Sequence, residues 1–258
     1  MGVLDGRHAL VTGGGSGIGA AIARTLAEQG AAVAVAGRSA GPLERMAAEC
    51  PRVTPIVADV TDAAACAAMV AAARTTHGPI DIVVANAGAA ESRPAARMDL
   101  AHWQRMIGVN LTGGFLTVSA ALPGMLDEAK RDGGERRIVF IASTAALKGY
   151  PYVAAYCAAK HGVVGLARAL AAELAPTGIT VNAVCPGYTD TPMLEQSLQN
   201  ITAKTGRTRE EAARDLARLN PQGRFITPEE VAATVLWLCS PAAGSVTGQA
   251  ISISGGEV

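Results

Sequence analysis

Short apolar segments alternate with longer segments rich in alanine, leucine, glutamate and arginine along the chain. The apolar segments are nearly continuous, as is typical of strands buried on both faces of a sheet. We predict strands at 8–12, 31–36, 53–58, 80–85, 137–142, 179–184 and 249–254. Helical segments between consecutive strands indicate right-handed crossovers. The predicted fold class is therefore α/β, with a parallel sheet of about seven strands flanked by helices.

Helix-boundary signals agree with this pattern. Three glycines stand just before predicted strands, where C-caps are needed: Gly30, Gly78 and Gly178. Thr227-Pro228-Glu229-Glu230 predicts a helix start, with Thr227 as N-cap and Glu230 completing a capping box. The segment 193–225 is long, polar and rich in lysine and arginine. We expect it to form one or two lid helices inserted into a single domain spanning 1–258.

Composition narrows the class of protein. Twenty-two basic residues balance twenty-two acidic ones and aromatic residues make up 3%, so we expect no nucleic-acid partner. The five cysteines and four histidines form no metal-ligand pattern and no disulfide framework, so we predict reduced thiols and no metal. The N-terminus does not resemble a signal peptide, and we identify no apolar run long enough to span a membrane. We expect a cytoplasmic protein.

A glycine-rich turn follows the first predicted strand. Residues 12–19 read TGGGSGIG and lead directly into a predicted helix at 20–29. Glycines allow a tight turn and let phosphates approach the backbone, while the helix N-terminus offers unpaired N–H groups to a pyrophosphate. The simpler alternative is a loop that needs positive φ angles. The strand–turn–helix context favours a dinucleotide site and a Rossmann-type, doubly wound sheet.

The end of the second strand bears on which dinucleotide binds. An acidic residue there would bind a free ribose 2′-hydroxyl and repel a 2′-phosphate. Gly37 occupies that position and Arg38 follows it, so a guanidinium is available to pair with a phosphate. An exposed arginine at a strand end is the alternative. We favour NADP(H), with NAD(H) possible.

Tyr156 and Lys160 lie four residues apart in a predicted helix and so project from one face. A free phenol has a pKa of about 10, and a nearby ammonium favours the phenolate and would lower that pKa. Ser143 ends the fifth strand, where its hydroxyl can donate a hydrogen bond to a substrate oxygen. Taken singly, these residues have structural alternatives: a half-buried aromatic, a solvated charge and an N-cap.

Several motifs occur in order along nearly the whole chain: Thr12–Gly19, Asp59, Asn86-Ala87-Gly88, Asn110, Ser143, Tyr156 to Lys160 and Pro186-Gly187. In these motifs the chain resembles the short-chain dehydrogenase/reductase family. The resemblance implies hydride transfer between a nicotinamide cofactor and a ketone or secondary alcohol. Tyr156 would be the general acid/base, with Asn110, Ser143 and Lys160 completing the catalytic set.

The resemblance also implies cofactor contacts. Expected pyrophosphate contacts are Gly13, Ser16, Gly17, Ile18 and Gly19; adenosine contacts are Arg38, Asp59, Val60, Asn86, Ala87 and Gly88; nicotinamide-side contacts are Tyr156, Lys160, Pro186, Gly187, Thr189 and Thr191. Asn110 would hold a water that links Lys160 to solvent. The alternatives are that Asp59 caps the next helix, Asn110 satisfies a local backbone group, and Thr191 starts a helix.

Expected cleft residues lie at 145–152, 89–93 and in the lid. The lid's basic residues would suit an anionic substrate or simply solvate a helix face. The alternatives to a ketoreductase are an NAD-dependent hydroxyacyl or hydroxybutyrate-type dehydrogenase, a dehydratase or epimerase, and a catalytically silent NADP-binding regulator. Surplus apolar residues on the helices predicted at 100–126 and 153–174 suggest a homotetramer or homodimer.

Overall fold

The computed structural model describes residues 2–258. Its centre is one seven-stranded sheet in the order β3-β2-β1-β4-β5-β6-β7, with every neighbouring pair parallel. The strands are β1 His8–Thr12, β2 Ala32–Gly37, β3 Val53–Val57, β4 Ile82–Ala85, β5 Arg136–Ile141, β6 Ile179–Pro186 and β7 Ala250–Ile253. The predicted α/β class, strand number and parallel sheet are confirmed, with strand ends shifted by one or two residues.

Helices cover both faces of the sheet. They are α1 Gly17–Glu28, α2 Ala40–Glu49, α3 Ala63–His77, α4 Leu100–Ile107, α5 Gly113–Asp132, α6 Ala154–Leu174, α7 Pro192–Thr205, α8 Arg209–Ala217 and α9 Pro228–Cys239. Two apolar cores result. One contains Met69, Val118 and Val163 from α3, α5 and α6, and the other contains Ile22 and Val235 from α1 and α9. Burial on both faces explains the continuous apolar strands.

The helix expected at 100–126 differs from its prediction. A π-helical turn, Gly108–Thr112, separates α4 from α5, and α5 continues to Asp132. Gly133 then ends it in the left-handed conformation, with φ +61°. By length and composition alone, the stretch Leu100–Asp132 would pass as a membrane span, although no run of that length was identified from the sequence. Here α5 instead packs against α3 and the sheet.

The segment 193–225 contains nearly all of α7 and the whole of α8, so it forms two helices, as predicted for the lid. The predicted start of α9 is present in full: the Thr227 hydroxyl accepts from the Glu230 N–H, and the Glu230 carboxylate accepts from the Thr227 N–H. The glycine predictions also hold, since Gly30, Gly78 and Gly178 all have positive φ. Local capping chemistry therefore determines where these elements begin and end.

Candidate active site

The glycine turn lies where the strand order reverses, between β1 and β4, which is where open α/β sheets bind ligands. Gly13 and Gly17 have φ of +67° and +51°. A Cβ at Gly19 would stand 2.2 Å from the Gly13 carbonyl oxygen, so the turn is closed too tightly for a side chain. The first bond inside α1 is donated by the Ala20 N–H to the Ser16 carbonyl oxygen. The earlier N–H groups of α1 remain available to an anion.

Asn86 and Ala87, just after β4, hold this turn in place. The Asn86 side-chain amide donates to the carbonyl oxygens of Thr12 (2.8 Å) and Gly13 (3.3 Å). The backbone N–H groups of Asn86 and Ala87 both donate to the Thr12 hydroxyl at 3.1 Å. These bonds connect β1 to β4, so this motif stabilises the sheet at the glycine turn in addition to the adenosine contact expected of it. Ser16 makes no capping bond and its side chain is exposed beside the helix N-terminus.

Gly37 and Arg38 end β2 as expected, and Arg38 is exposed. Asp59 lies near Arg38 and accepts from the backbone N–H and the hydroxyl of Thr61, which lowers the pKa of its carboxyl. Asp59 does not cap α3; Asp62 does so, accepting from Ala64 and Ala65 N–H groups. Val60 is buried and would lie 2.7 Å from a Cβ at Gly113, so α5 begins in close contact with it.

The predicted catalytic side chains come together at the carboxyl ends of β4 and β5. The Lys160 ammonium lies 5.6 Å from the centre of the Tyr156 ring and donates to the Ile141 carbonyl oxygen at 2.8 Å. The Ser143 hydroxyl lies close enough to the Tyr156 phenol to lower its pKa. Its oxygen also accepts from the Ala145 N–H, at 3.1 Å, so the capping alternative holds as well.

Burial controls the protonation of this pair. It raises the pKa of Tyr156 to about 12, although the nearby Ser143 hydroxyl acts in the opposite direction. It lowers the pKa of Lys160 to about 8. The predicted depression of the Tyr156 pKa is therefore wrong for the protein alone, because the cost of burying a phenolate is the largest influence on that pKa. Tyr156 is a neutral O–H donor at neutral pH.

Asn110 lies in the π turn, and its side chain is fully used by backbone groups. Its amide donates to the carbonyl oxygens of Ala89 (2.8 Å) and Met106 (3.0 Å), and its oxygen accepts from the Ala89 N–H (3.1 Å). A Cβ at Gly88 would lie 2.8 Å from the Asn110 oxygen and 3.7 Å from the Lys160 nitrogen. The expected structural alternative is thus present: Asn110 fixes the 86–89 loop beside Lys160.

The loop after β6 is held by consecutive hydroxyl bonds. Pro186 ends the strand, and the Gly187 N–H donates to the Ile253 carbonyl oxygen at 2.9 Å. Thr189 donates to Gly187, and Thr191 donates to Thr189 and caps α7. The Thr191 side chain would lie 3.1 Å from a Cβ at Gly17. The loop therefore closes over the glycine turn, and Thr191 also starts a helix.

The substrate side departs from expectation in three ways. Ala145 and Ala146 are buried in the fold rather than lining a cleft, whereas Leu147 and Tyr152 are exposed. Three lid arginines, Arg207, Arg209 and Arg224, form ion pairs with carboxylates, which supports the solvated-face alternative over an anion site. A buried carboxylate, Glu257, also lies on this side. Sequence reasoning missed it because an isolated glutamate after the last strand carries no local signal.

The fold, the glycine turn and the catalytic side chains together define a dinucleotide-binding α/β protein. Its tyrosine–lysine pair lies at the carboxyl edge of the sheet, on the same side as the glycine turn. A family model described as short chain dehydrogenase matches residues 7–202, and the chain belongs to that family. The ketoacyl reductase of the monensin polyketide synthase from Streptomyces virginiae is 41% identical, over 97% of this chain and 96% of that protein. A D-beta-hydroxybutyrate dehydrogenase from Cupriavidus necator is 38% identical over 99% of each.

Solved structures agree. A variant of actinorhodin polyketide ketoreductase with NADPH matches with a TM-score of 0.93 and 38% identity, covering 100% of this chain and 99% of that chain. The predicted family, fold and reaction class are confirmed: the protein is an oxidoreductase that transfers a hydride between a nicotinamide cofactor, NADP(H) being favoured, and a ketone or secondary alcohol. A catalytically silent regulator is not favoured.

Proposed function

We propose that the protein is an NADP(H)-dependent ketoreductase in which Tyr156 is the general acid. The observation that carries this proposal is the Lys160 ammonium, 5.6 Å from the centre of the Tyr156 ring, at the carboxyl edge of the sheet where β5 leads into Ser143. The bound nicotinamide supplies the hydride. Ser143 positions the carbonyl oxygen by a hydrogen bond, and Tyr156 gives it a proton as alkoxide character develops. The reverse reaction uses the same groups.

Replenishing that proton is the role we assign to Lys160, and Asn110 positions the loop beside it. The Lys160 ammonium is fixed by the Ile141 carbonyl oxygen and stands over the Tyr156 ring. Asn110 holds the 86–89 backbone against it. We place the pyrophosphate at Gly13, Ser16, Gly17, Ile18 and Gly19, and the adenosine at Arg38, Asp59, Val60, Asn86, Ala87 and Gly88. We place the nicotinamide beside Tyr156, Lys160, Pro186, Gly187, Thr189 and Thr191.

The test is Tyr156→Phe, which removes only the hydroxyl. General acid catalysis contributes roughly 10²–10⁴-fold, so we expect kcat for ketone reduction, followed by absorbance at 340 nm, to fall by about that factor. NADPH affinity should remain within about twofold, because the ring is kept. Tyr152→Phe is the matched control, since Tyr152 is exposed in the neighbouring loop. An unchanged kcat in Tyr156→Phe would contradict the assignment.

We also propose a cytoplasmic homotetramer, or a homodimer, of single-domain subunits with 193–225 as the lid. Leu100, Trp103 and Phe115 support this, because they leave large apolar side chains exposed along α4 and α5. Leu100 and Trp103, three residues apart on α4, share one face of that helix, and exposed apolar side chains grouped in this way are typical of protein interfaces. Light scattering at micromolar concentration should give the mass of a dimer or tetramer, and a monomer mass would refute the assembly.

A further inference from the structure

The buried carboxylate on the substrate side belongs to Glu257, in the segment after β7. Its side chain is 2% exposed. One carboxylate oxygen accepts from the Tyr150 hydroxyl at 2.6 Å and lies 2.9 Å from the Lys148 ammonium. Buried carboxylates require such partners, since desolvation is otherwise costly. Both partners come from the loop between β5 and α6, which also carries Ser143.

The hydrogen bonds continue from Glu257 to the residue beside Ser143. The Tyr150 hydroxyl lies 2.7 Å from the Thr144 hydroxyl as well as 2.6 Å from Glu257. Tyr150 has one proton, and the ionised carboxylate accepts only, so Tyr150 donates to Glu257 and accepts from Thr144. Burial and the Glu257 contact both raise the pKa of Tyr150, which keeps it protonated. The Glu257 carboxylate is thereby connected to the turn of Ser143.

Little apolar packing holds the rest of this loop. Leu147 and Tyr152 are exposed, and Tyr152 has the strained φ of +67°. The loop is held there by a backbone bond from the Arg93 N–H to the Tyr152 carbonyl oxygen, at 2.7 Å. Ala145 and Ala146 are held by the core, whereas the outer part of the loop, from Leu147 to Tyr152, is held by these polar contacts and by the edge-to-face packing of Tyr150 on Tyr188.

The segment that carries Glu257 also contacts the other walls of the site. The second carboxylate oxygen would lie 3.3 Å from a Cβ at Gly187, in the loop after β6. Gly255, with φ +62°, packs so closely on Asn220 that a Cβ would overlap it. Asn220 in turn donates to the Arg224 carbonyl oxygen at the end of the lid segment. Residues 254–257 thus lie between three loops that border the proposed cleft.

We propose that Glu257 is a positioning residue for ketone reduction: through Tyr150 and Thr144 it holds the Ser143 turn in place for the substrate oxygen. The proposal rests on the function proposed above. Glu257 touches neither the reacting atoms nor the glycine turn. Its loss should therefore reduce use of the ketone and leave NADPH binding intact, a division that a general loss of stability would not produce.

The experiment compares Glu257→Gln and Glu257→Ala with Glu28→Ala, an exposed glutamate at the end of α1. A hydrogen bond to a charged group corresponds to about ten- to a hundredfold in an equilibrium or rate, so we expect kcat/KM for the ketone to fall by that factor in Glu257→Ala. Glu257→Gln, which keeps the shape and an acceptor, should lose less. The dissociation constant of NADPH should change by less than about twofold in each variant.

Two further readouts separate positioning from folding. Tyr150→Phe should lower kcat/KM as Glu257→Ala does, and the double variant should be no worse than the single ones, because both break one chain of contacts. Hydrogen exchange of residues 144–150 should quicken in Glu257→Ala. Unchanged ketone kcat/KM, or a loss matched by weaker NADPH binding, would overturn the proposal. If the wild type reduces no ketone, the proposed function fails, whereas the exchange measurement still tests the loop contact.

Discussion

Replacing Arg38 or Gly37 should change which nicotinamide cofactor the protein prefers. Arg38 is exposed at the end of β2, beside Asp59, and is available to a ribose 2′-phosphate. A hydrogen bond to a charged group contributes about 1.5–3 kcal/mol. At about 1.4 kcal/mol per decade, Arg38→Ala should weaken NADPH binding on the order of ten- to a hundredfold. NADH lacks the phosphate and should lose little.

Gly37→Asp should move the preference further, and the structure can accept the new side chain. The φ angle of Gly37 is not positive, so its backbone accepts a side chain, and a Cβ there would lie no closer than 3.6 Å to Leu43. The added carboxylate would repel a 2′-phosphate and accept from a free ribose hydroxyl. We therefore expect NADPH to weaken and NADH to improve, without loss of stability.

The assay is kcat/KM for NADPH and NADH in wild type, Arg38→Ala and Gly37→Asp. Arg45→Ala, on the exposed side of α2, is the control for the loss of a nearby positive charge. A wild type that prefers NADH, or an Arg38→Ala variant that loses NADH and NADPH equally, would refute the reasoning. The fold and the Tyr156 chemistry do not depend on that result.

Two further predictions concern buried charges. Burial lowers the pKa of Lys160 to about 8, so its ammonium is present below that pH and lost above it. We therefore expect kcat/KM for NADPH to fall as the pH rises through about 8. A midpoint near 10.5, the ordinary pKa of a lysine, would contradict this prediction. Asp81→Asn should destabilise the fold by about 3 kcal/mol, because it removes the charge that pairs with both the buried Arg136 and Arg7, each at 3.3 Å, and leaves Arg136 with Asp132 as its carboxylate partner. Thermal unfolding of Asp81→Asn should show a Tm lower by roughly 6–12 °C. Asp127→Asn, at an exposed position, is the control, and an unchanged Tm in Asp81→Asn would refute the prediction.

The sheet and the glycine turn could be predicted because their signals are local. Continuous apolar strands report burial on both faces, and a capping box such as Thr227–Glu230 is complete within four residues. The π turn at Gly108–Thr112 could not be read in the same way, since an extra residue in one turn hardly changes the apolar period. Asp59 and Asp62 show the limit of such signals: both suit an N-cap, and only the backbone geometry selects Asp62.

Contacts between residues that are far apart in the chain could not be predicted from the sequence. Tyr150 and Glu257 are 107 positions apart, and nothing near either one predicts their contact. The direction of the Tyr156 pKa shift was missed for a related reason. The spacing to Lys160 is visible in the sequence, but the desolvation that raises the pKa of Tyr156 depends on how the whole site is enclosed.

The pKa values of Tyr156 and Lys160 are shifted in opposite directions by the same cause, which is burial. Burial disfavours a charge on either group, so it raises the pKa of the phenol and lowers the pKa of the ammonium. Tyr156 is then a donor that stays protonated across the neutral range. Lys160, with its pKa lowered to about 8, still carries its charge at neutral pH, and its ammonium donates to the Ile141 carbonyl oxygen. Admitting water to the site would move both pKa values back toward those of the free side chains, so the enclosure of the pair sets its protonation as much as the residues themselves do.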